Sequence, residues 1–239
     1  MEFTGEQVVP GVSKQRLIDE DIGRYAFAQT YAEGKRVLDI ASGTGLGTAM
    51  LAERAAEVTG VDISAESVAY AKAHHGAPNT TYVLGSATDT SLFAPQSFDV
   101  IISYETIEHL EAPERSAYLA NLASWLRPEG VLLLSTPNKR VTSPFREKPD
   151  NQFHVLEFTR AALLAEVEAY FIVDSVRGQR TIPRFATIRL VRRFVHLIAR
   201  ITGRLRTLYI LSGGPQVVAY DPARYEPRIF VLVCRPRVS

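Results

Sequence analysis

The chain has 239 residues, with 27 Lys and Arg against 26 Asp and Glu, for a net charge of +1. At 46% hydrophobic and 22% charged residues it has the make-up of a globular domain, which excludes disordered, collagen-like and disulfide-stapled classes. The length suffices for one self-sufficient core, and near-zero net charge gives no reason of its own to expect nucleic acid or a membrane.

The one cysteine, Cys234, cannot form an internal disulfide, so nothing requires an oxidising compartment. Residues 1–9 carry Glu2 and Glu6 and no apolar stretch, and no apolar run approaches the roughly 20 residues that cross a bilayer. The expectation is a cytoplasmic protein.

In chain order, a helix is expected over residues 13–31, with Leu17, Ile18, Ile22, Tyr25 and Phe27 at apolar positions. An apolar strand over 36–40 runs into a helix over 44–56, then a strand over 58–61 and a helix over 65–75. Strands follow at 81–84 and 98–103. A helix carrying Leu119, Leu122, Trp125 and Leu126 is stopped by Pro128 and Gly130, ahead of a buried strand over 131–135. A helix over 159–169 and strands over 170–176 and 228–234 complete the pattern. Alternating strands and helices predict a doubly wound α/β domain. Here that means a Rossmann-like seven-stranded sheet, mostly parallel, with an antiparallel last strand. The whole chain reads as one domain, with a helical cap over 1–34 and a basic helical insertion over 178–227, longer than an ordinary connection.

Strand one ends in Ala41-Ser42-Gly43-Thr44-Gly45-Leu46-Gly47, where glycines let the backbone turn tightly and approach a ligand. Asp39 precedes the turn, and Asp62 ends strand two, where a carboxylate can accept both hydroxyls of a ribose. The spacing is G-x-G-x-G and not the G-x-G-x-x-G of a dinucleotide site, which disfavours an NAD-dependent oxidoreductase. S-adenosylmethionine, with no pyrophosphate and an amino-acid end, suits this turn better.

These residues resemble the class I S-adenosylmethionine-dependent methyltransferases. Residues 37–45 look like the first motif of that family and Gly60-Val61-Asp62-Ile63-Ser64 its second. Phe98-Asp99-Val100-Ile101 and residues 126–132 look like the later ones. The resemblance implies a cofactor site built from Asp39, Ala41, Gly43, Gly45, Asp62, Ile63, Ser103 and Tyr104, with Ser86 and Ala87 flanking the adenine. The family more often carries Asp at the position of Ser86.

A second constellation lies at the carboxyl edge of strand four. If the chain turns helical there, Glu105, Glu108 and His109 share one face, a credible divalent metal site, and His154 is a fourth candidate from the loop after strand five. The set resembles the metal-binding pattern of plant small-RNA 2′-O-methyltransferases, and its first three residues that of ubiquinone-pathway O-methyltransferases. Both act on a hydroxyl beside a second oxygen. The resemblance favours Mg²⁺, while mixed carboxylate and imidazole ligation also admits Mn²⁺ or Zn²⁺. Glu108, His109 and His154 are then the catalytic candidates, the histidines as proton acceptors where the metal leaves them free. His74, His75 and His196 read as surface or helix-end residues.

Residues 177–206 hold nine arginines and no acid: Arg177, Arg180, Arg184, Arg189, Arg192, Arg193, Arg200, Arg204 and Arg206. The remainder of the chain is therefore acidic overall, 18 basic residues against 26. Apolar residues intersperse the arginines at helical spacing, consistent with a lid, a homodimer element or a membrane-surface contact. Only Phe185, Phe194 and Tyr209 offer stacking rings, so nucleic acid is disfavoured.

The reading is an O-methyltransferase that acts, with metal help, on a vicinal diol of a small-molecule or oligosaccharide acceptor. Thr4-Gly5-Glu6 and Pro10-Gly11 with Arg24-Tyr25-Ala26-Phe27-Ala28 resemble the opening of polysaccharide-pathway methyltransferases. A catechol or quinone-precursor acceptor and a non-catalytic S-adenosylmethionine-binding recruitment protein are the alternatives.

Overall fold

The computed structural model describes residues 13–188, 191 and 213–237. Helix α1 (Gln15–Ala32) leads into strand β1 (Arg36–Ile40), and α2 (Leu46–Ala52) carries the chain to β2 (Glu57–Asp62). Helix α3 (Ala65–His75) starts at Ser64, whose side chain accepts the Ser67 N–H and satisfies a donor the helix cannot. Strands β3 (Thr80–Leu84) and β4 (Phe98–Tyr104) follow. Helix α4 (Ala112–Trp125) opens on a reciprocal capping box between Glu111 and Glu114. It passes directly into β5 (Leu126–Pro137), then α5 (Lys139–Thr142), α6 (Arg160–Val167), β6 (Phe171–Pro183), β7 (Val217–Val218) and β8 (Tyr225–Pro236).

The strands form one sheet in the order β3-β2-β1-β4-β5-β8-β6-β7. Strands β3 through β5 are mutually parallel, and β8 runs antiparallel between β5 and β6. The strand order reverses between β1 and β4, so their carboxyl ends frame the crevice where open α/β sheets bind ligands. The doubly wound expectation holds, including the antiparallel last strand. Among the described residues the count is eight and not seven, because two-residue β7 pairs with β6 and is too short to leave a pattern.

Other boundaries also differ. Pro128 and Gly130 lie inside β5, where the β4 pairing shifts register, and Leu126 opens that strand rather than closing the helix. Residues 178–183, counted in the helical insertion, are the second half of β6 and pair with β8. Residues 217–218 and 225–227 are strand too. Three of the nine arginines are described, and each has a contact. Arg177 lies over the Phe27 ring, Arg180 Nε pairs with Glu20 at 2.5 Å, and Arg184 Nε sits 3.4 Å from Glu226. Arg189, Arg192, Arg193, Arg200, Arg204 and Arg206 lie outside the described residues, as do Thr4, Gly5, Glu6, Pro10 and Gly11.

Alternation along β1 divides the core. Leu38 and Ile40 join Ile101, Leu132, Trp125 and Phe171 on one face of the sheet. Val37 joins Val100, Leu133 and Leu51 on the other, together with Tyr25, Ala28 and Ala32 of α1. The N-terminal cap is thus part of the core. No helix of the described residues is long and apolar enough to cross a membrane.

Candidate active site

A cavity of about 350 Å³ opens at the carboxyl ends of β1 and β4. Its floor is the turn after β1, which needs left-handed backbone at Ala41 (φ 60), Gly43 (φ 55) and Gly45 (φ 85). Gly45 caps α2, where a side chain would also strike Ala71 and Tyr82.

Asp62 closes one wall. Its Oδ2 accepts the Gly43 N–H at 2.8 Å and its Oδ1 the Ser64 N–H at 2.8 Å, so the carboxylate is aimed while each oxygen keeps a lone pair. Ala41, Gly43, Ile63, Ser86, Ala87 and Tyr104 also line the cavity. Ser86 is tied to Thr88, and Asn121 Nδ2 donates to the Ala87 carbonyl at 3.0 Å, fixing that loop.

Asp39, Gly45 and Ser103 stand behind the wall and not on it. Asp39 faces α1, accepting Tyr25 Oη–H at 3.0 Å and Thr48 Oγ1–H at 2.6 Å, and burial raises its carboxyl to about 7. The Ser103 hydroxyl is bonded to that of Tyr118. Sequence reasoning assigned no role to Asp21, Arg24 or Tyr25 of α1, which complete the cavity. Arg24 is buried, donates to Gln179 Oε1 at 2.9 Å and to Asp21 at 3.0 Å, and leaves Nε without a partner. The only signal was the Arg-Tyr pair of the α1 motif.

A second cavity, of about 250 Å³, adjoins the first. Arg24, Glu105 and His109 line both, so they mark the junction. The helical face expected for Glu105, Glu108 and His109 does not form. Glu105 takes φ 52, its N–H donates to the Ser135 carbonyl at 3.1 Å, and its Oε1 accepts Ser135 Oγ–H at 2.7 Å. Only Ile107–His109 then coil, into a single 3₁₀ turn.

That turn, together with the loop before α6, assembles a different set. Ligand atoms of Glu108, His109 and His154 lie within 4.8 Å of one another, and Glu105 stands outside the trio. The Glu108 carbonyl accepts the N–H groups of Val155 (2.9 Å) and Leu156 (3.2 Å), docking the loop that bears His154. His109 Nδ1 bonds the Phe153 carbonyl at 3.1 Å, and the two imidazoles meet edge to face at 5.0 Å.

Glu108 is fully buried. Its Oε2 accepts Thr136 Oγ1–H at 2.8 Å, whereas Oε1 has no hydrogen-bond partner. Burial, reinforced by the charge of Glu105, pushes this carboxyl well above the usual range. A buried carboxylate with one partnerless oxygen, grouped with two imidazoles, is a donor set that fits a divalent cation, whose charge reverses that penalty.

Residues 37–130 match the family model of a methyltransferase domain. The chain is 31% identical over 179 residues to a "Probable S-adenosylmethionine-dependent methyltransferase" of Mycolicibacterium smegmatis, covering 74% of this chain and 67% of that one. The chain belongs to the S-adenosylmethionine-dependent methyltransferases. It is also 35% identical over 117 residues to a ubiquinone biosynthesis O-methyltransferase of Xanthomonas campestris, spanning 48% of each. The crystal structure of the PH0226 protein of Pyrococcus horikoshii is similar in fold to this chain, at a TM-score of 0.64 and 17% identity, covering 95% of this chain and 94% of that one.

The expected fold class, the methyltransferase class of enzyme and S-adenosylmethionine as cofactor are borne out, and the oxidoreductase reading falls away.

Proposed function

We propose that this methyltransferase transfers the methyl group to a hydroxyl of a saccharide that presents two neighbouring hydroxyls, assisted by a divalent cation. The observation that carries the reading is the trio Glu108, His109 and His154, with its partnerless Glu108 oxygen, beside the cofactor cavity. These three residues would hold the cation, Mg²⁺ by resemblance, with Mn²⁺ or Zn²⁺ equally suited to two imidazoles. A bound divalent cation lowers the pKa of an alcohol, as it does that of water.

The chain's own residues supply the remainder. Asp62 would accept hydrogen bonds from the ribose hydroxyls, and the loop at Ser86 and Ala87 would flank the adenine. The acceptor oxygen attacks the methyl carbon, the carbon–sulfur bond breaks, and S-adenosylhomocysteine departs. The hydroxyl proton leaves to Glu105, a carboxylate that lines both cavities and stands outside the cation trio. Glu20, Arg24, Asp150, Asn151 and Glu157 give the second cavity a polar lining, and among the described residues no Phe, Tyr or Trp side chain is in its walls. Hydroxyl-rich acceptors match such walls better than a planar ring does.

A catechol acceptor is the second reading, favoured by the likeness to the Xanthomonas ubiquinone enzyme. Radiolabelled methyl transfer to panels of sugars, catechols and RNA, with Mg²⁺ or with EDTA, separates the readings. Incorporation into sugar, abolished by EDTA and lowered about a hundredfold by Glu108→Ala, is expected. Chelator-insensitive activity would end the cation reading, and transfer to catechols alone would end the saccharide reading.

A further inference from the structure

Three hydrogen bonds determine which nitrogen of His154 carries its proton. The Phe153 N–H donates to Asn151 Oδ1 at 3.1 Å, which fixes the orientation of the Asn151 amide. Its NH₂ group therefore faces His154 Nε2, at 2.8 Å. An amide NH₂ only donates, so Nε2 holds a lone pair and the ring proton sits on Nδ1. Glu157 Oε1 lies 3.2 Å from Nδ1 and accepts that proton's hydrogen bond.

Glu157 is itself fastened. It is 6% exposed, and its Oε2 accepts Thr142 Oγ1–H at 2.5 Å. Thr142 ends α5, which Asn138 caps at its N-terminus, and buried Asn138 donates to Glu226 Oε2 at 3.1 Å and to the Pro227 carbonyl at 2.8 Å. A chain of contacts thus runs from β8 through α5 to the His154 ring. Glu157 lines the second cavity and not the first.

We infer that Glu157 is a positioning residue: it holds the Nδ1–H tautomer of His154 and so keeps the lone pair on Nε2, the nitrogen left to serve the trio with Glu108 and His109. The inference rests on the cation reading above. A histidine ligand whose far nitrogen donates to a carboxylate is more basic and better oriented than one left to rotate. The Asn151 amide occupies the same lone pair and has to yield it to a cation. Glu157→Gln is the informative change, because the new amide can turn its NH₂ to Nδ1 and drive the proton onto Nε2, removing the lone pair.

The test uses the full chain without acceptor. Mn²⁺ is titrated into wild type and Glu157→Gln, with free ion read by electron paramagnetic resonance and S-adenosylmethionine binding read by calorimetry. Long-range ¹H–¹⁵N spectra report the His154 tautomer before metal is added. We expect Mn²⁺ affinity to fall about ten- to a hundredfold, the tautomer to move toward Nε2–H, and cofactor affinity to stay within about twofold. Wild type that fails to bind Mn²⁺ would overturn the cation reading and this inference with it. Wild type that binds, with a variant equal to it in affinity and tautomer, would overturn the inference alone. Should Glu157→Gln lose cofactor binding, and so its fold, Thr142→Val decides. That change removes one hold on Glu157, and Mn²⁺ affinity unchanged from wild type would again overturn the inference.

Discussion

Asp39 shows how far a single residue can depart from the role its motif implies. It belongs to the glycine-turn signature, yet its carboxylate faces the hydroxyls of Tyr25 and Thr48 behind the cavity. The side chain is buried, and burial raises its pKa from 3.8 to about 7. A carboxyl raised on folding favours the fold most when protonated. Its contribution is therefore complete below about pH 4 and is lost as pH rises through about 7. The shift corresponds to roughly 4 kcal/mol at most. Asp39→Asn keeps an acceptor for Tyr25 or Thr48 and cannot ionise. The variant should gain stability over wild type as pH is raised from 5 to 8, in denaturant melts without cofactor. A difference that stays constant with pH would show that Asp39 does not titrate in this window.

At the scale of elements, the contact between α1 and α2 depends on one missing side chain. A Cβ at Gly47 would meet the Tyr25 ring at 1.9 Å, so α2 can pass beneath Tyr25 only with glycine there. Gly47→Ala gains about 1 kcal/mol of helix propensity, but overpacking typically costs about 1–3 kcal/mol and displaces the ring. Tyr25 lines the first cavity, the one proposed for the cofactor, so the expected outcome is a weaker S-adenosylmethionine affinity, by about tenfold, with a lower melting midpoint. Calorimetric titration showing wild-type affinity would refute the dependence. The glycines were legible in the sequence because their chemistry is a property of the backbone. The helix over 105–109 was not legible as absent, because its failure comes from Ser135, a strand away, which pins Glu105 in a left-handed conformation. His154 was recognisable by residue type, but its approach to Glu108 depends on two backbone bonds from Val155 and Leu156. Spacing carries no trace of either.

Across the whole molecule, the periodicity of strands and helices gave away the doubly wound sheet, whereas the standing of α1 depended on contacts between distant residues. Arg24 reaches Gln179, and Gln179 Nε2 also donates to the Glu20 carbonyl at 2.7 Å. The cap is thereby tied to β6 as well as to β1, and Tyr25, Ala28 and Ala32 fill one face of the sheet. Trp125, the only tryptophan, is buried on the opposite face. If both faces share one cooperative unit, damage to the first must be felt by a probe on the second. Tyr25→Ala should cost about 3–5 kcal/mol, which for a chain of this size lowers the midpoint by roughly 10 °C. Trp125 fluorescence and far-ultraviolet circular dichroism should report the same displaced transition. A Trp125 transition left at the wild-type temperature, with an earlier loss of helix signal, would mean that α1 melts alone. The cap would then be a separable lid over the cofactor, and Arg24, at the junction of both cavities, would be free to leave with it.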